Sequence, residues 1–130
     1  MHVHLVFVAK YRKRIFTAAV LQDLEAIFTS VCKDFEAELV EFNGEGDHVH
    51  LLVQYPPKVA VSRLVNSLKG VSSRMIRQKG HACVERALWR KQLWSPSYFA
   101  GSCGGAPLSI VRQYIEAQNS PLQERLISHP

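Results

Sequence analysis

The stretch NGEGDHVHLLVQY, at positions 43–55, constrains what this 130-residue chain can fold into more than any other. Asn43, Gly44, Gly46 and Asp47 have the composition of a tight connection, offering positive-φ backbone and side-chain bonds to the main chain. From His48 onward the residues alternate strictly, the pattern of a strand with one buried face. Val49, Leu51, Val53 and Tyr55 form the apolar side, and His48, His50, Leu52 and Gln54 the other. Two imidazoles therefore project in parallel from one surface, their Cβ atoms roughly 7 Å apart, close enough to converge on one cation. A half-exposed strand that merely carries two histidines has the same pattern, so the rest of the chain has to decide between them.

Residues 1–9, MHVHLVFVA, alternate as a first strand with Val3, Leu5 and Phe7 on one face. His2 and His4 repeat the His-x-His spacing, but at a chain start, where fraying would cost a ligand set its geometry. The second pair is therefore preferred, with His4 near it if the two strands are neighbours. Thr17 caps a helix to about residue 33 whose apolar stripe is Val20, Leu21, Leu24, Ile27, Phe28 and Val31. A strand over 37–42 is turned back by residues 43–47 onto the histidine strand. Pro56 and Pro57 stop that strand, and a helix over 60–79 follows. Its stripe is Val61, Leu64, Val65, Leu68, Val71, Met75 and Ile76, with Gly80 as C-cap. Residues 81–93 carry no clear period. Residues 94–100, WSPSYFA, read as a strand that Pro96 restricts to an edge or an irregular start. Glycines then cluster at 101–105 as a hinge, Pro107 opens a last helix over 108–119, and Pro121 closes it. Tyr114 and Gln118, four residues apart, share one side of that helix; helix geometry alone makes Tyr114 a half-buried packing residue.

The order strand, helix, strand, strand, helix, strand, helix is an α+β, ferredoxin-like βαββαβ pattern with one helix appended. A single domain is expected, with a core over 1–100, a hinge over 101–106, the added helix over 107–119 and a tail over 120–130. In such a fold the histidine strand is central, helices cover the side bearing Val49, Leu51 and Val53, and the hinged last helix is the spare element that can dock over the histidines.

Lys and Arg total 16 against 11 Asp and Glu, a formal charge of +5 that suits a polyanionic partner. Lys10, Tyr11, Arg12, Lys13 and Arg14 set four cations around one ring, a single-strand nucleic-acid footprint or else a solvated basic loop. Arg63, Arg74 and Arg77 share a helix face with Gly70, flanked by Ser67 and Ser73, which admits a phosphate backbone but is equally an ordinary solvated face. Cys32, Cys83 and Cys103 are widely spaced without a Cys-x-x-Cys, which argues against a disulfide framework and a zinc ribbon. His81-Ala82-Cys83 is half a metal site without a second half. No 18-residue apolar run and no signal-peptide pattern occur, so a cytoplasmic protein without a membrane partner is expected. A base-stacking RNA module of similar fold would need aromatic rings where His48 and His50 stand. A two-histidine phosphoesterase would need two His-x-Ser/Thr copies, and neither His2 nor His48 begins one.

Taken in order, HLVFVAKYRKRIF, EFNGEGDHVHLLVQYPP, SLKGVSSR, WSPSYFAGS and the Tyr114 helix resemble the single-tyrosine HUH transposases of small insertion sequences, including their repeat-associated relatives. His48-Val49-His50 looks like the HUH motif of that family. The resemblance covers nearly the whole chain, and it implies Tyr114 as the nucleophile and His48, His50 and Gln118 as ligands of a divalent metal. The family uses Mg2+ or Mn2+, whereas the donors alone point to zinc or manganese. It further implies single-stranded DNA with a hairpin as substrate, a homodimer, and a tyrosine helix able to act in trans. The basic segment and the arginine face would contact DNA, and Asp47 would lie behind the metal ligands. An HUH nickase or a domesticated repeat-associated relative is the near alternative.

Overall fold

Alternation builds the sheet. The computed structural model describes residues 1–88, 92–102, 113 and 115–117. Its strands are β1 (His2–Val8), β2 (Glu38–Gly44), β3 (His48–Gln54) and β4 (Phe99–Ser102), with helices α1 (Ala18–Asp34), α2 (Val61–Lys79) and the short α3 (Ala82–Leu88). The strands lie in the order β2-β3-β1-β4, and every neighbouring pair is antiparallel. This is the ferredoxin-like α+β topology expected from the element order, with β3 inserted between β1 and β2. The expected tyrosine helix and tail fall almost wholly outside the described residues.

Each helix ends for a local reason. The Thr17 hydroxyl accepts the Val20 N–H at 3.3 Å and caps α1. At the other end Glu36 sits at φ 57, so that the Ala37 N–H reaches back to the Cys32 carbonyl at 2.8 Å. Gly80, at φ 72, closes α2 in the left-handed conformation that glycine takes without strain.

One side of the sheet makes the core. Val3, Leu5, Phe7, Val49, Leu51 and Val53 are buried against Val20, Leu24 and Phe28 of α1 and Leu64, Leu68 and Ile76 of α2. Trp94 is wedged between Phe7 and Phe16, with ring centroids 5.6 and 5.2 Å away. The α2 stripe differs from its expected form at one turn: Met75 is 37% exposed and Ser72 is buried instead. The buried indole N–H of Trp94 donates to Ser72 Oγ at 2.9 Å, and an apolar side chain there could not accept it.

Two other expectations are corrected. The last strand of the sheet runs over Phe99–Ser102 rather than 94–100, so Gly101 and Ser102 pair with His4 and Val3 instead of starting a hinge. Pro96 has no N–H to give a ladder, and of the residues before it only Trp94 bridges, to Ala9. The glycines of the β2–β3 connection are also not there for positive φ, since among the described glycines only Gly80 has it. They supply room. A Cβ on Gly44 would strike the Leu21 side chain, and one on Gly46 would lie 2.6 Å from the Arg14 guanidinium carbon. Left-handed non-glycine residues stand instead at Tyr11 and Arg12, at φ 59 and 55, on the loop whose Arg12 faces Asp47.

Candidate active site

Register decides what faces the histidines. His50 lies opposite Val6 and His48 opposite Val8, while His4 pairs with Leu52, one position along. His4, His48 and His50 thus share the sheet side away from α1 and α2, so His4 is a neighbour of the pair. That side is less open than alternation implies, because Val6 and Val8 are buried on it and His48 is only 7% exposed. The His48 and His50 rings meet edge to face with centroids 5.0 Å apart.

The two imidazoles are prepared differently. His48 Nδ1 lies 2.8 Å from Asp47 Oδ1. A carboxylate oxygen only accepts, so Nδ1 carries the proton and the neutral ring keeps its lone pair on Nε2. Near that Nε2, at 3.9 Å, is Oε2 of the exposed Glu45. Among the described residues His50 has no such partner. Burial first, then the neighbouring His48, holds its pKa below the ordinary 6.5; Glu45 pulls the other way and His4 adds the least. Its ring is therefore neutral at pH 7, the form that binds a metal.

Two imidazoles on one strand face fit a divalent ion that takes further oxygen donors. Among the described residues no three His, Cys, Asp or Glu side chains form a cation-holding set. The remaining expected ligand, Gln118, and the expected nucleophile, Tyr114, lie outside the described residues.

The basic segment does not hang free. Lys10–Arg12 form a single 3-10 turn after β1. Ala9 N–H donates to the Asp47 carbonyl at 2.8 Å and Phe16 N–H to the Gly46 carbonyl at 3.0 Å, so both ends of the loop are tied to the histidine turn. Lys10 Nζ stands 5.3 Å from the centroid of the Tyr11 ring. Arg12 Nε is 3.6 Å from Asp47 Oδ2, and the Arg14 guanidinium lies against Gly46.

The arginines of α2 are separated. Arg74 and Arg77 line a groove of about 540 Å3 with Lys69, Asn66, Gln92 and Trp94. Arg63 lies apart in a second, smaller hollow with Asp34, Glu36 and Lys58. Lys69, which nothing in the sequence marks out, spans from α2 to the approach of β4: Nζ donates to the carbonyls of Ser95 at 2.7 Å and Ser97 at 3.3 Å. Burial lowers its pKa from the ordinary lysine value.

A family model for IS200-like transposases matches residues 1–118. The ISDra2 transposase TnpA of Deinococcus radiodurans is 29% identical over 119 residues, which cover 92% of this chain and 84% of that protein. The transposase for insertion sequence element IS200 of Salmonella typhimurium is 28% identical over 115 residues, 88% of this chain and 74% of its own length. Among solved structures, a Deinococcus radiodurans protein assigned as a transposase superposes with a TM-score of 0.83 at 28% identity, covering 92% of both chains. A REP-associated tyrosine transposase bound to a REP hairpin shares the fold, with a TM-score of 0.54 at 14% identity, over 90% of this chain and 62% of that one. Among the described residues no helix is long and apolar enough to cross a membrane.

Proposed function

This chain belongs to the IS200-like transposase family, and from that premise we propose that it cuts and rejoins single-stranded DNA at insertion-element ends through a covalent bond to Tyr114. The observation that carries the proposal is the pair on β3, where His48 is oriented by Asp47 and His50 is kept neutral by burial. With Gln118 they would hold Mg2+ or Mn2+, which when bound polarises the scissile phosphate. The phenolate oxygen of Tyr114 attacks phosphorus in line. The new bond is Tyr114 Oη to phosphorus, and the bond to the 3′ oxygen breaks, so the products are a 5′-phosphotyrosine and a 3′-hydroxyl that takes up a proton. Because the ester conserves the bond, attack by a second 3′-hydroxyl restores the DNA and frees Tyr114 without ATP.

Arg74 and Arg77 line a groove open to a phosphate backbone, and Lys10 and Lys13 lie on the loop beside the histidine turn. A DNA hairpin as the recognised feature is supported by the hairpin-bound fold relative. A homodimer whose tyrosine helices act in trans follows from the family resemblance.

The test incubates the protein with labelled single strands from the DNA flanking its own gene, with Mn2+ or Mg2+, and resolves the mixture on a denaturing gel. A covalent adduct is expected for the parent chain, and Tyr114→Phe should abolish it while leaving hairpin binding intact. Hairpin binding with no adduct on either strand and with either metal would sink the catalytic reading in favour of a binding module. Cleavage without strand transfer between two ends would point to a nickase.

A further inference from the structure

Arg12 counts as a DNA contact when the sequence alone is considered, yet its surroundings suit a different task. Asp47 is 7% exposed and its two oxygens are divided, Oδ1 on His48 Nδ1 at 2.8 Å and Oδ2 facing Arg12 Nε at 3.6 Å. Among the described residues Arg12 Nε is buried without a hydrogen-bond partner, and the charged group it faces is the Asp47 carboxylate. The backbone is bent to bring it there. Tyr11 and Arg12 are consecutive left-handed residues, at φ 59 and 55, a conformation that is strained for any side chain with a Cβ. Arg12 N–H to Ala9 O at 2.8 Å, Lys10 N–H to Leu93 O at 2.9 Å and Ala9 N–H to Asp47 O at 2.8 Å hold the turn in that shape. A loop that only offered cations to solvent would need neither the strain nor the tie to Asp47.

We infer that Arg12 is a positioning residue: it holds Asp47 at Oδ2 so that Oδ1 fixes the His48 ring with Nε2 presented to the metal. Were the carboxylate free to rotate, the Nδ1 bond would be intermittent and the ring would exchange between its two tautomers, one of which puts the proton on Nε2. This rests on the reading of His48 as a metal ligand.

The experiment uses the full chain, 15N-labelled, in EDTA at mildly alkaline pH, with the His48 ring signals assigned by their loss in His48→Gln. Long-range 1H–15N correlation should show Nδ1 protonated and Nε2 bare in the parent. Arg12→Gln should give a tautomer mixture, and Arg12→Lys, which keeps the charge without the planar fork, an intermediate one. Mn2+ affinity, followed by the EPR signal of the free ion, should fall about ten-fold in Arg12→Gln, in the range expected for partners behind metal ligands. On an Asp47→Asn background the same change should cost nothing further. The salt dependence of single-strand binding should be unaltered. An unchanged tautomer and Mn2+ affinity, or a salt slope reduced by about 0.7 as for one lost phosphate contact, would overturn the inference. If Arg12→Gln does not fold, Arg12→Lys decides on the same readouts. His48→Ala separates the two ideas: undiminished Mn2+ binding there would remove the metal reading, while the tautomer measurement would still judge Arg12.

Discussion

Two basic regions that look alike in sequence differ in what their charges meet. The loop after β1 is tied at both ends to the histidine turn and has Arg12 facing a buried carboxylate and Arg14 laid over Gly46. The far part of α2 instead sets Arg74 and Arg77 along an open groove with no acidic residue among its described lining residues. Charge density in a sequence signals that cations cluster, but whether they act outward or inward depends on what the fold puts beside them.

The largest effect is expected where the two regions meet. Trp94 lines the α2 groove and packs on Phe16 at the end of the basic loop, so Trp94→Ala should lower stability by about 3–5 kcal/mol, read from urea unfolding. A loss confined to a few tenths would mean that the groove and the loop do not share a foundation. Next in size, replacing Arg74 and Arg77 together by Ala should weaken single-strand binding about ten-fold and lower the slope of log K against log salt by about 1.4, roughly 0.7 per lost contact. An unchanged slope would make that groove an ordinary solvated face. The smallest effect concerns pH. The His50 pKa is lowered from 6.5 by burial, so as pH falls the unfolded chain takes up that proton first. Stability from a neutral His50 is complete above the unfolded value and is lost as pH falls through about 6.5 toward the folded pKa. In EDTA, His50→Gln should therefore lose less stability than the parent between about pH 8 and about pH 5, and parallel curves would contradict the burial effect.

Much of the fold was legible because it rests on local rules. Period two marked β1 and β3, the Thr17 cap and Gly80 stop bounded their helices, and element order alone specified the ferredoxin-like sheet. Less was legible where a partner far along the chain sets the outcome. Ser72 takes the stripe position given to Met75 because Trp94 must hydrogen-bond, and β4 begins late because the proline-bearing stretch before it has its Ser95 and Ser97 carbonyls bound to Lys69. Lys69 itself has no local signature, since its partners lie 26 and 28 residues away.

The candidate site divides in the same manner. The sequence by itself determined that His48 and His50 share a strand face, because side chains two apart on a strand always do. It also placed Asp47 beside them, by simple adjacency. Only the tertiary structure decided that His4 lies on their side of the sheet, that His50 is buried enough to stay neutral, and that Arg12 reaches Asp47. Strand register, desolvation and the approach of two loops arise from packing between distant segments, and no window of neighbouring residues contains them.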